Sequence, residues 1–171
     1  MQDNTILIEH GFKPLLGVEP KVLILGTMPS VQSLKTQQYY GHPRNAFWWI
    51  MSELLCFDFS LNYTKRVERV VTKKIAVWDV IASCHRSGSL DSNIDQNTLT
   101  PNCLPELFAK TPSLKLIGFN GQAAQKLFKK FIGEHTWQGD TLVLPSTSPA
   151  NAAMTKERKL LHWSKITNYL E

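Results

Sequence analysis

The sequence predicts a single α/β domain in three layers, α/β/α, with helices on both faces of a central, mostly parallel four-stranded sheet. Three observations predict it. Short apolar, β-branched runs alternate with helical patterns along the 171 residues, the order of a parallel sheet rather than of hairpins. Hydrophobic residues make up 43% and charged residues 19%, an ordinary balance for a soluble chain able to bury a core. No repeat, low-complexity tract or linker divides the chain, so one domain is expected over residues 1–171.

Each element has its own signal. Residues 21–25 (KVLIL) read as a buried first strand. Residues 44–55 (RNAFWWIMSELL) read as a helix with Pro43 at its first position. Residues 62–74 form a basic amphipathic helix, and residues 74–80 (KIAVWDV) a second strand. Thr100 followed by Pro101 marks a helix start, with ELFAK inside the helix. Residues 114–119 (LKLIGF) give the third strand and residues 121–131 its helix. Residues 141–144 (TLVL) give the fourth strand, and residues 155–170 a closing helix capped by Thr155.

Composition narrows the function classes. The N-terminal MQDNTILIEH holds acidic residues and too short an apolar run for a secretory leader. No run approaches the ~18 apolar residues of a membrane helix, so an intracellular, cytoplasmic protein is expected. Three cysteines, Cys56, Cys84 and Cys103, show no metal-ligand spacing, which predicts reduced thiols, no metal and no cofactor. A net charge of +5 makes a polyanionic partner plausible without requiring one.

In parallel sheets ligands bind beyond the carboxyl ends of the strands. That rule points to residues 26–45, 79–94, 120–121 and 145–151. The first is far longer than the ~2–6 residues a plain strand-to-helix connection needs. It opens Gly26-Thr27-Met28-Pro29-Ser30, which matches no phosphate-loop pattern. It continues through Tyr39, Tyr40, Gly41, His42, Pro43, Arg44 and Asn45. Tyr40 is either a stacking surface for a planar ligand or an edge of the core. Asn45 either caps the helix or points its amide at a water or a sugar. The last segment, LPSTSPAN, is stiff and thin, and Ser146, Thr147 and Ser148 suit phosphate contacts. Lys156, Arg158 and Lys159 follow, either holding a polyanion or forming a solvated helix face.

Together these segments resemble the uracil-DNA glycosylase superfamily over nearly the whole chain. GTMPS fills the superfamily's first-motif slot, G-x-x-P-[GS]. YYGHPRNAFW is similar to the F-x-H-P-x-N-x-F-W stretch of the mismatch-specific branch. LIGFNGQAAQKLF resembles the strand–glycine–helix unit, and LPSTSPANA sits at the minor-groove loop. Within the superfamily the chain looks most like the hypoxanthine (deoxyinosine) DNA glycosylases, through GTMPS, YYGHPRNAFW, WDVIASCHRSGSLD and PSTSPAN.

The resemblance implies a uracil-DNA-glycosylase-like fold and a monofunctional DNA glycosylase of base-excision repair. Its reaction would be hydrolysis of the N-glycosidic bond of a flipped, deaminated nucleotide, hypoxanthine first. It implies damaged DNA as partner, no obligate protein partner and a monomer. The first motif holds Met28 where other branches place Asp or Asn; the hypoxanthine branch shares this apolar residue and assigns its catalytic amide to the asparagine of HPRN, which the resemblance carries onto Asn45. The base would be bound by Tyr40, Asp79, Met28 and Ser146, with Asp79 either reading the base or capping the loop that follows. DNA would be held by Pro29, Ser30, Ser148, Pro149, Ala150, Asn151 and Lys156. Asp91 and Arg86 are expected to pair across their loop, and Lys35 is the one lysine near the strand ends that could form a Schiff base. A uracil or G:U/G:T mismatch glycosylase is the alternative enzyme reading, and a DNA-binding module without catalysis the second alternative.

Overall fold

The computed structural model describes residues 7–171; the first part of the N-terminal run, residues 1–6, lies outside the described residues. The elements run β1 (Glu9–His10), β2 (Val22–Gly26), α1 (Val31–Thr36), α2 (Phe47–Leu55), α3 (Tyr63–Thr72), β3 (Ile75–Asp79) and β4 (Ile81–Arg86). They continue β5 (Ile94–Pro101), α4 (Leu104–Lys110), β6 (Leu116–Asn120), α5 (Gln122–Phe131), β7 (Asp140–Leu144) and α6 (Lys156–Trp163).

Four strands form one sheet in the order β3-β2-β6-β7, and every neighbouring pair is parallel. Side chains alternate across a strand, so each strand feeds two cores. Val22 and Ile24 pack with Phe47, Trp48, Ile50, Met51 and Trp163 from α2 and α6. Leu23 and Leu25 pack with Leu104, Leu107, Leu127 and Phe128 from α4 and α5. The three-layer architecture expected from the alternating pattern is therefore present. Each fully buried apolar side chain contributes about 1.5–3 kcal/mol, which is why the sheet register holds the strand ends level. Gly26 pairs with Asp79, and Asn120 with Leu144.

The structure corrects several local readings. A second sheet, β1-β4-β5, is antiparallel and takes in residues read as a strand-end loop. Its sequence, IASCHR against IDQNTLTP, is too polar to announce a strand, and its pairing is decided by distant partners. Thr100 and Pro101 end β5 rather than starting a helix; Pro101 sits opposite Ile81 in an edge strand, where a missing N–H is tolerated. The helix begins at Leu104, with Pro105 in its first turn. The helix expected from residue 44 begins at Phe47, since residues 42–45 are used by a turn. The long first loop contains α1, capped by Ser30. Thr155 caps α6 as expected, but the closing helix tightens to 3₁₀ geometry over Ser164–Tyr169. Among the described residues no helix is long and apolar enough to cross a membrane.

Candidate active site

A cavity of about 430 Å³ opens where β2, β3 and β6 end. This is the switch point of the sheet, where neighbouring strands β2 and β6 run on to β3 and β7 in opposite directions. Its walls include Gly26, Met28, Pro29, Ser30, Tyr40, Asn45, Asp79, Ser146, Ser148, Ala150 and Asn151. Ten of the twelve site residues expected from the sequence thus meet in one place. Pro149 and Lys156 do not; they line a neighbouring groove that shares Asn45 and Asn151 with the cavity.

Asp79 ends β3 and is buried. Among the described residues its Oδ2 has no hydrogen-bond partner. Burial, then the negative charge of Asp91, pushes its carboxyl up to about 7, against the pull of Arg86. Gly26 lies directly beside it. A Cβ at Gly26 would stand 2.5 Å from Asp79 Oδ1 and 2.9 Å from the Tyr40 hydroxyl. Glycine at the end of β2 is therefore the space into which both polar groups project.

Tyr40 has a backbone φ of +52°, a left-handed conformation unusual for an aromatic residue. The glycine beside it in sequence does not take that role. The ring leans on Phe47 at 4.3 Å between centroids, and its hydroxyl is buried without a partner among the described residues. Burial and the nearby Asp79 raise its pKa, so it stays a protonated donor. Tyr39 is core: its hydroxyl donates to the Lys13 carbonyl at 2.7 Å, and Trp48 Nε1 donates to its carbonyl at 2.7 Å.

Residues 42–45 form a β-turn, with Asn45 N–H donating to the His42 carbonyl at 2.9 Å and Pro43 at its second position. His42 Nδ1 accepts from Arg44 N–H, so the histidine shapes the turn. Asn45 Oδ1 accepts from Phe47 N–H at 3.0 Å. That bond fixes which end of the amide faces the helix and aims the NH₂ group elsewhere. The oxygen end of the amide thus serves the start of the helix, while the residue also lines the cavity.

Residues 145–151 are held by their own side chains. Ser146 Oγ accepts from Ser148 N–H, Ser148 Oγ from Ala150 N–H, and Asn151 Nδ2 donates to the Ser146 carbonyl at 3.1 Å. Thr147 is buried and exchanges two 2.9 Å hydrogen bonds with Asn120, so it anchors the loop instead of facing a phosphate. Asn120 is a residue that sequence reasoning left unassigned; its place at the end of the third strand was the available signal. Gly121 (φ +95°) lets this strand end approach Ser146 closely. Ser30 spends its hydroxyl on capping α1, accepting from Ser33 N–H.

Arg86 does not pair with Asp91. It pairs with Glu9 at 3.0 Å and donates to the Pro29 carbonyl, while Thr27 Oγ1 donates to Asp91 at 2.6 Å. The buried guanidinium thus pins the first loop to the second sheet. Lys35 lies exposed on α1, and no lysine lines the cavity. Among the described residues no group of three or more His, Cys, Asp or Glu side chains could hold a metal.

The sequence profile of the Uracil DNA glycosylase superfamily matches residues 14–171. A Hypoxanthine DNA glycosylase of Methanosarcina barkeri is 34% identical over 152 residues, 88% of this chain and 93% of that protein. One from Methanosarcina acetivorans is 34% identical over 154 residues, 90% of this chain and 94% of that protein. A solution NMR structure from Methanosarcina acetivorans, described as a candidate uracil DNA glycosylase, superposes with a TM-score of 0.79 at 32% identity. That superposition covers 96% of this chain and 99% of the other.

Proposed function

Because the chain belongs to the uracil DNA glycosylase superfamily, we propose that its cavity receives a flipped, deaminated nucleotide, hypoxanthine first, and that the glycosidic bond is hydrolysed there. One observation carries the reading: a buried carboxyl with a free oxygen lies beside a protonated tyrosine at the strand ends. Hypoxanthine presents an N1–H donor where adenine presents an acceptor, so an ionised Asp79 favours the deaminated base over its parent. The Tyr40 ring provides a stacking edge, with Met28 as an apolar part of the wall.

Cleavage of a glycosidic bond passes through an oxocarbenium-like state. Such a state asks for stabilisation of the departing purine and for a water held against C1′. Asn45 is the positioning group for that water, through the amide end that Phe47 N–H leaves unoccupied. An amide is a poor general base, so leaving-group hydrogen bonds carry much of the work. Each is worth about 3–4 kcal/mol when preorganised. Met28 cannot activate water at all. With no lysine in the cavity wall, water is the nucleophile and the product is an abasic site.

The loop of residues 145–151 acts as the wedge, its stiffness supplied by Ser146, Ser148 and Asn151. A stiff wedge offsets the few kcal/mol of unstacking that flipping costs. We propose further that the protein acts as a monomer; a DNA substrate implies that it works alongside the cell's DNA.

The test is cleavage of one labelled duplex carrying inosine, uracil or no lesion, with alkali to reveal abasic sites. Inosine should be fastest, with strand scission only after alkali. Asn45→Ala should slow turnover about 10²–10⁴-fold while DNA binding persists. Faster cleavage at uracil would move the assignment to the uracil branch. Binding without cleavage of any lesion would leave only a DNA-binding role.

A further inference from the structure

Lys159 is an unusual lysine. It sits on α6, only 5% exposed, behind the loop of residues 145–151. Its ammonium makes one marginal hydrogen bond, donating to the Ser148 carbonyl at 3.5 Å. Among the described residues it has no carboxylate within 4.0 Å, since the four ion pairs found there involve other lysines and Arg86. An ammonium offers three donors and is costly to bury without a counter-charge. Nothing among the described residues supplies one.

The surroundings add positive charge instead. Lys159 lines a groove of about 450 Å³ together with Arg44 and Lys156, and among the described residues no acidic side chain contributes to its wall. Lys156 Nζ rests 4.4 Å above the Trp49 ring on the same wall. The groove adjoins the cavity at the strand ends, since Asn45 and Asn151 line both. On the reading of the cavity as the nucleotide pocket, the phosphates beside the turned-out nucleotide would fall near this boundary.

We propose that this groove is a phosphodiester subsite, centred on Lys159, for the strand flanking the flipped nucleotide. It rests on the reading of the adjacent cavity as the nucleotide pocket. A phosphate there completes the coordination of a cation that folding leaves unpaired. Through the Lys159–Ser148 bond it also tightens the wedge loop at the moment DNA is engaged. The sequence offers Lys159 only as one charge in a basic helix; its burial marks it apart from Lys156 and Arg158, which are exposed.

The experiment is a binding titration by fluorescence anisotropy, using duplexes with 2′-fluoro-deoxyinosine, whose electron-withdrawing fluorine resists cleavage. Each duplex carries one uncharged methylphosphonate at a single position around the lesion. At one flanking position the neutral linkage should weaken wild-type binding about five- to tenfold. Lys159→Met should show the same loss on the unmodified duplex, no further loss with that linkage, and a salt slope smaller by about one. Lys159→Arg should restore both the affinity and the sensitivity to that linkage. Thermal melting monitors the fold, and Lys156→Gln gives a second reading from a surface position. The proposal is overturned if Lys159→Met binds every duplex as wild type does, or if the losses add in full at every position. Losses from Lys159→Met and from the neutral linkage that add at every position, with inosine excision intact, reject the subsite alone. Coupling without excision rejects the chemistry proposed for the cavity alone.

Discussion

Replacing Asp79 with asparagine should stabilise the fold while disabling the enzyme. The carboxyl ordinarily titrates at 3.8 and is pushed up to about 7 in the folded protein. Between those values the folded state holds a proton that the unfolded state has lost. Stability from this group is therefore fully present below about pH 4 and is lost as pH rises through about 7. At about 1.4 kcal/mol per pH unit, the interval corresponds to about 4 kcal/mol of destabilisation at pH 8. The side chain is 4% exposed, so solvent screens little of this. The groups facing it are Asp91, which raises the pKa, and Arg86, which lowers it; both remain in the variant. A buried asparagine amide takes back about 1–2 kcal/mol for its own unmet hydrogen bonds. The net gain at pH 8 is then about 2–3 kcal/mol, or roughly 5–10 °C in Tm for a chain of this size. Urea unfolding of both proteins at pH 4.5 and pH 8 measures it, and the gap should nearly close at the lower pH. The companion readout is excision of inosine by the wild type, which should rise through about pH 7 as the acceptor ionises. An Asp79→Asn protein no more stable than wild type at pH 8, or a gap independent of pH, refutes the reasoning.

Two further outcomes follow from the geometry. Gly26→Ala puts a methyl 2.5 Å from Asp79 Oδ1 and 2.9 Å from the Tyr40 hydroxyl. It should cost about 1–3 kcal/mol of stability and up to about 100-fold in excision rate, and wild-type rates in single-turnover assays would remove these groups from base recognition. Lys156→Gln combined with Arg158→Gln should weaken DNA binding and flatten its dependence on salt, by about one in slope for each phosphate no longer neutralised; an unchanged slope in anisotropy titrations would make that face a solvated one.

What the chain's local pattern determined was the frame and the address of the site. The runs VLIL, IAVW and LIGF are apolar on both faces, which only a strand covered on two sides can satisfy. With helices between them, the parallel sheet and its switch point follow, and so do the four segments at its carboxyl edge. Gly26, Asp79 and Ser146 were legible because they stand at or just beyond the strand ends, and Tyr40 and Asn45 through the motif YYGHPRNAFW. Strands β4 and β5 were not, because polar residues paired at long range carry no periodicity of their own. Tertiary packing alone decided what each charge meets. Arg86 finds Glu9, 77 residues earlier, rather than its neighbour Asp91. Asp79 ends with an unpaired oxygen, and Lys159 without a counter-ion, because distant loops fold over them. Burial and electrostatic environment depend on chain segments far apart in sequence, so the local pattern located these residues while only the assembled structure set their protonation and partners.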